Sequence, residues 1–407
     1  MPTSVVSKSR LHIYDPRERV LVTIADRALD GLAAVARPFR RRRRPAAPKR
    51  ILLLRLERIG DLLMALPAIA DVRTHAPEAA IDLVVGRWNA DLASAIPGVS
   101  RVDVLDAQWL AREGGGLDLI NALAPLLPSA RRWRSRHYDL AINFEPDIRS
   151  NLLLAASGAA WTAGYRSGGG GGLLDVALEY DARGHTVDNA RRLIASVFDR
   201  DVPGSCGSRI VVPERARADA RRLLAGSGRP LVGMHVSGGR PIKQWDVDRF
   251  SEVAGRLVTC AGATIVLTGS PADRPLVDTV KRRLSPARVI DVAGEGDLLT
   301  VAAILEELDV LVTGDTGPMH LAAAVGTPIV AVFGPSDPAR YAPRGPHDRV
   351  VRIDLPCSPC NRIRLPPGRC VGHTPDCLAF ISTDRVLTAA VSVLAGSART
   401  RAGERPA

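Results

Sequence analysis

Four short stretches carry acids, a lysine, a histidine and glycines at turns between apolar runs. RLERIGD, Arg55 to Asp61, puts Asp61 directly after a glycine at the start of a helical pattern. An Asp there either caps the helix, contributing about 1 kcal/mol, or serves as a general base toward a hydroxyl. In HVSGGRPIKQWD, His235 to Asp246, the residues Ser237, Gly238 and Gly239 are expected to leave backbone N–H groups for a phosphate, with Lys243 adding a point charge. The stretch is neither a Walker A loop nor a GxGxxG fingerprint, so an ordinary surface loop is the alternative. TGSPADR, Thr268 to Arg274, offers Asp273 to a ribose or to the amides of its own helix start.

The fourth stretch, VTGDTGPMH, contains Asp315, Thr316, Gly317 and His320. A helix is expected to begin near Pro318, a residue suited to a first turn. The amides at such a start form an anion site. Ala322, Ala323, Ala324 and Gly326 are expected to let this helix press on a sheet and hold the turn rigid. His320, about one turn in, is either a ligand contact or a structural histidine.

The elements that must position these residues alternate between strand and helix. Ile51–Leu54, Ile81–Val85, Leu140–Phe144, Leu231–Val236, Thr264–Leu267, Val310–Thr313 and Ile329–Phe333 are short apolar runs, as in parallel strands covered on both faces. Helical patterns run from about Asp61 to Thr74, where Pro67 predicts a kink, and over Val247–Val258. The glycines Gly168 to Gly172 read as a flexible loop. With 407 residues, two successive βαβ series imply an α/β protein of two doubly wound Rossmann-like domains with a cleft between them. The expected boundaries are a basic extension over 1–47 (amphipathic or disordered), domains over 48–212 and 213–391, and a flexible tail over 392–407.

Lys and Arg total 55 against 43 acidic residues, a net charge of +12, which favours anionic partners. Aromatics make up only 4%, too few for the stacking platforms of single-strand binders. The apolar spacing over residues 24–39 leads into Arg40–Arg44, a pattern for an anionic membrane surface; a plain tail and a nucleic-acid arm are the alternatives. No apolar run reaches the roughly 18–20 residues that span a bilayer. The first twenty residues lack a leader's features, so a cytoplasmic location is expected, on the inner face of the cell membrane if the surface reading holds.

GDTGPMHLAAAVGTPIVAVFGPSDP resembles the signature of glycosyltransferase family 9, the ADP-heptose:lipopolysaccharide heptosyltransferases and their relatives. ILLLRLERIGDLLMALPAIADVR, VSGGRPIKQWDVDRF and CSPCNRIRLPPGRCVGHTPDCLAFIS are similar to that family as well, in the same order. The resemblance implies a B-type glycosyltransferase fold, with acceptor bound by the N-terminal domain and nucleotide-sugar by the C-terminal one. It implies inverting transfer of a heptose or related sugar to a glycan, lipid-linked or small-molecule hydroxyl, with no cofactor required for catalysis. Asp61 matches the family's base and Lys243 its phosphate-binding lysine. Asp315, Thr316 and Gly317 match the donor-binding turn, and His320 its neighbouring histidine. Asp273 stands where the family usually has a ribose-binding Glu, one methylene longer. Arg58, Arg149 and Arg166 are candidate acceptor contacts. The division of labour is chemically coherent: displacing a nucleoside diphosphate needs a base on the acceptor and positive charge on the leaving group.

Cys357, Cys360, Cys370 and Cys377 follow C-x2-C-x9-C-x6-C. Structural zinc, reduced thiols and disulfides all remain open for them, and His373 is a candidate replacement ligand. Cys206 and Cys260 read as single, ordinary residues. Two other functions stand beside the transferase: a B-type-fold nucleotide-sugar epimerase, and a basic zinc-containing nucleic-acid-binding protein, although no specific nucleic acid is expected.

Overall fold

The computed structural model describes residues 11, 13, 16–36, 43–106, 126–201 and 208–403. The chain divides into two compact units, Met1–Ser208 and Arg209–Ala407. Cys206 and part of the arginine run, Arg40 to Arg42, lie outside the described residues.

The first unit contains β1 (Arg50–Arg55), β2 (Ala80–Val85), β3 (Arg101–Val104), β4 (Leu140–Asn143), β5 (Trp161–Tyr165) and β6 (Val176–Leu178), in the order β3-β2-β1-β4-β5-β6. The second contains β7 (Leu231–His235), β8 (Thr264–Thr268), β9 (Val289–Asp291), β10 (Val310–Gly314), β11 (Ile329–Val332) and β12 (Arg349–Val351), in the order β12-β11-β10-β7-β8-β9. Every pairing is parallel. Apart from Arg50 at the start of β1, the central strands β1, β7 and β10 are buried because helices cover both sheet faces, which is why runs such as ILLL suit them. In each unit the order reverses beside one strand: β1 sits between β2 and β4, and β7 between β8 and β10. Loops leaving the carboxyl ends of such neighbours turn to opposite faces and open a crevice.

The segment after β1 forms two helices, α1 (Ile59–Met64) and α2 (Leu66–His75), meeting at Ala65. Pro67 has no N–H to give the preceding turn, so the helical pattern divides there and restarts with proline in its first turn. A helix over Pro16–Ala36 precedes β1 and packs on the glycine run. Val22 and Ala33 are buried, and Asp26 Oδ1 accepts from Gly170 N at 2.7 Å. The expectation of a flexible Gly168–Gly172 loop is therefore corrected: it is a packed platform. A Cβ on Gly168 would lie 1.8 Å from Pro146 O, and Gly169 and Gly170 have φ of +92° and +75°.

In the second unit α3 (Val247–Ala261) and α4 (Gly317–Val325) flank the sheet, and α5 (Thr383–Gly403) closes it. Val386, Ala390, Val393 and Leu394 join the core with Phe250 and Leu257. Residues 392–403 of the expected tail continue this helix, with Val393 and Leu394 in the core, and 404–407 lie outside the described residues.

Candidate active site

In the second unit the β7 and β10 loops meet at the crevice. Lys243 Nζ lies 2.9 Å from Asp315 Oδ2, with both side chains mostly buried. Burial pushes the Asp315 carboxyl up, but Lys243, then His320 and Ser336, outweigh it and hold the group below its ordinary value. Thr316 is the N-cap of α4 in extended backbone (φ −141°), and no side chain caps the helix start. Its hydroxyl lies 3.2 Å from that of Thr313. Gly317 opens the helix with Pro318 behind it. The helix end, the lysine and the buried aspartate therefore share one edge, an arrangement suited to an anion that competes with Asp315 for Lys243.

Of the small residues expected to face the sheet, Ala322 and Ala324 are buried while Ala323 and Gly326 face outward. Gly326 ends the helix at φ +85°, where a Cβ would meet the Arg209 guanidinium.

The Ser237–Gly239 loop differs from expectation. Its amides are engaged: Gly238 N donates to Gln244 Oε1 at 2.7 Å and Gly239 N to Ser237 Oγ at 3.2 Å. Gln244, which sequence reading missed, also donates to Val236 O and Trp245 O, both at 2.6 Å. It ties the loop down, and a Cβ on Gly238 would sit 2.6 Å from Gln244 N. Ser237 also bonds Asp273. Asp273 accepts from Ser270 N at 2.8 Å and Ser270 Oγ at 2.7 Å, so its carboxylate already serves its own helix start. Burial raises that carboxyl, but Ser237 and Ser270 outweigh it and keep it below its ordinary value. His235 is pushed down to about 4 by burial, hence neutral, with Nδ1 3.2 Å from Thr268 Oγ1.

In the first unit Asp61 stands in the first turn of α1, three residues after Arg58, the uncapped N-cap. It is not the cap. Its carboxylate Oδ1 lies 3.5 Å from Arg55 Nη2, and its carbonyl accepts from Arg55 Nε at 3.0 Å. Arg55 and Glu145, both buried here, were not singled out from the sequence; the only signal was a charge closing each of two apolar strands. Of the candidate acceptor residues, Arg58 is exposed at the helix start. Arg149 is held by Asp147 at 2.6 Å and by Glu18 at 3.4 Å, and Arg166 lies 3.5 Å from Glu179. Asp61 and the Lys243–Asp315 group thus belong to different units.

Cys357, Cys360, Cys370 and Cys377 are free thiols. Burial pushes the Cys377 thiol up to about 11, helped by the other three nearby. Among the described residues no three His, Cys, Asp or Glu side chains are arranged to hold a metal ion. The disulfide alternative does not match these free thiols, and the zinc expectation finds no assembled ligand set.

Two parallel sheets with charged loops at their switch points define an enzyme-like α/β protein of two Rossmann-type units. The glycosyltransferase family 9 (heptosyltransferase) model matches residues 128–367, more than half of the chain. Lipopolysaccharide heptosyltransferase 2 of Salmonella typhimurium is 26% identical over 320 residues, covering 75% of this chain and 88% of that protein. A glycosyl transferase family 9 structure from Veillonella parvula aligns with TM-score 0.73 at 25% identity, covering 86% of this chain and 98% of that one. The E. coli ADP-heptose lps heptosyltransferase II structure aligns with TM-score 0.69 at 23% identity, covering 86% and 99%. This chain belongs to glycosyltransferase family 9, and it is a sugar transferase with the B-type fold of that family. The epimerase and nucleic-acid alternatives are set aside accordingly. Among the described residues no helix is long and apolar enough to cross a membrane.

Proposed function

We propose that the protein transfers a heptose, with inversion, from an ADP-activated donor to a hydroxyl of a lipopolysaccharide-type acceptor. The observation that carries this reading is the Lys243–Asp315 pair at the start of α4, in a chain whose relatives include heptosyltransferases. The acceptor would bind to the first unit, with Arg58, Arg149 and Arg166 as contacts, and the donor to the second. Asp61 takes the proton of the acceptor hydroxyl, and that oxygen forms its bond to the anomeric carbon. The bond from that carbon to the diphosphate breaks on the opposite face, and its electron pair leaves with ADP. Lys243 and the Thr316–Gly317 helix start balance the growing charge. Asp273, Ser237 and the Gly238–Gly239 turn shape the nucleoside side, and His320 helps hold Asp315 ionised. No cofactor enters these steps.

Replacing Asp61 by Asn is expected to lower turnover at least about a hundredfold, the scale for removing a general base, with ADP affinity and melting temperature near wild type. A variant that melts early but keeps its specific activity would show a structural carboxylate instead. The anomeric configuration of the product tests inversion separately.

The Cys-rich segment stays outside the reaction. For it to hold structural zinc its thiols would have to close together, which one equivalent of zinc in the purified protein would support.

The Pro16–Ala36 helix supports a second element of the reading, a cytoplasmic enzyme resting on an anionic membrane surface. With Val22 and Ala33 turned inward, Val20, Ile24, Leu32 and Val35 are 60–72% exposed along the outer face. Arg19 and Arg27 are exposed beside them, and Arg40–Arg44 follow in the chain. Such a helix lies on a bilayer rather than crossing it. Ile24→Glu with Leu32→Glu, both on the exposed face, should leave the fold intact and reduce binding to vesicles containing phosphatidylglycerol severalfold. Unchanged binding would remove the membrane from the reading.

A further inference from the structure

Arg55, at the end of β1, and Glu145, two residues past β4, fill the first unit's switch point, and the steps above give neither a task. They are 4% and 1% exposed, and an ion at such depth costs several kcal/mol unless compensated. Arg55 divides its donors between the segment after β1 and the end of β4. Nε donates to Asp61 O at 3.0 Å and Nη1 to Phe144 O at 2.7 Å, while Nη1 lies 3.0 Å from Glu57 Oε2 and Nη2 3.5 Å from Asp61 Oδ1. Glu145 Oε1 accepts from Leu56 N and, at 2.8 Å, from Glu57 N. Its other oxygen, Oε2, is buried without a hydrogen-bond partner. The Glu145 backbone is fixed in turn by Asn143, whose side chain accepts from Glu145 N and donates to Glu145 O, both at 3.0 Å.

We propose that Arg55 and Glu145 are positioning residues for Asp61: Glu145 clasps the two amides that lead into α1, and Arg55 clamps the carbonyl and the carboxylate of Asp61. The inference rests on the reading of Asp61 as the base. A base must stay within hydrogen-bond reach of its proton, and a small misplacement is enough to cost a large factor in rate. A loop between a strand and a six-residue helix has little rigidity of its own. The buried arginine ties it to β4, and the buried carboxyl fixes its first amides.

The charged and titratable groups around the pair are Glu57, Asp61, Asp147, Arg149, Tyr165 and Tyr180. Burial first, and then Glu57, push Glu145 up to about 8. At neutral pH it accepts the two amides while adding little negative charge.

The test uses the full-length protein, with ADP release from ADP-heptose as the activity and ADP titration as the binding readout. Arg55→Lys and Glu145→Ala are made with Asp61 intact and with Asp61→Asn. With Asp61 intact, each should lower kcat at least about tenfold while the donor KM and ADP affinity stay within about twofold. In the Asp61→Asn background neither should add a further loss, because a positioned group that is absent cannot be misplaced. Glu145→Gln, which keeps an oxygen for the amides, should recover most of the activity lost in Glu145→Ala. Wild-type kcat in Arg55→Lys and Glu145→Ala, with Asp61→Asn impaired, would overturn the inference and leave the base reading standing. Wild-type turnover in Asp61→Asn would remove the base reading, and this inference with it. If Glu145→Ala does not fold, Arg55→Lys decides: an equal loss in both backgrounds marks a general structural role and overturns the proposal.

Discussion

The two units share one sheet topology and use its crevice in opposite ways. At the β1/β4 switch point the ionisable groups are spent inward: Arg55 and Glu145 are buried and tie loop to strand. At the β7/β10 switch point Lys243 and Asp315 keep 19% and 12% of their side chains exposed, at the start of a helix that no side chain caps. The first arrangement suits holding one protein group still, and the second suits exchanging a protein partner for a ligand. On the proposed reading, the same fold holds a base fixed in one unit and offers an exchangeable anion site in the other.

The largest expected effect tests the exchangeable side. Gly317→Val places a β-branched side chain over the first turn of α4. Gly317 begins a helix and is not among the positive-φ glycines, so the backbone tolerates the change; valine is a better helix former than glycine, so helix propensity adds no cost. Blocked approach should abolish measurable ADP binding while the melting curve stays near wild type. Lys243→Ala should weaken ADP about tenfold or more and adenosine hardly at all. It also leaves burial of Asp315 opposed by less positive charge, so that carboxyl rises from its depressed value. Because the two changes act on one bound group, their losses should not add fully. Wild-type ADP affinity in Gly317→Val would make the turn a mere connection and dissolve the contrast between the crevices.

How much of this was readable beforehand divides along the same line. The central strands were legible because ILLL, LVGMH and VLVTG are apolar on both faces. Strands β3, β5, β6, β9 and β12 were not; four are edge strands of three or four residues, partly exposed, such as RVDV and VID, and the internal β5, WTAGY, breaks its apolar run with Thr and Gly. Lys243 and Asp315 stood out through their neighbours in sequence. Glu145 and the Leu56 amide are 89 residues apart, so only the pairing of β1 beside β4 brings them together. Gln244 escaped notice for a local version of the same reason: its role depends on the loop folding back over six residues. The seat of the N-terminal helix was hidden too, since glycines that look mobile in sequence pack tightly once Val22 and Asp26 lie on them.

The smallest expected effect sharpens the inward side, and it concerns stability. Glu145 titrates near 8 when folded, against an ordinary carboxyl value of about 4.5 when unfolded. Between those values the folded protein holds a proton that the unfolded chain has released. Stability with respect to this group therefore falls as pH rises, by up to about 1.4 kcal/mol per pH unit, and levels off above the folded value. Glu145→Gln has no such proton. Its melting temperature should run parallel to wild type below pH 4 and gain on it steadily from about pH 5 to 8. Asp315, with its depressed value, works in the opposite sense: its contribution is present above its unfolded value and is lost as pH falls through its folded one, in wild type and Glu145→Gln alike. The difference between the two melting curves therefore isolates Glu145. A constant difference across that range would mean that the Glu145 carboxyl is ionised throughout, with Arg55 compensating it in full. The first crevice would then hold a plain buried ion pair, closer in kind to Lys243–Asp315 than its geometry suggests.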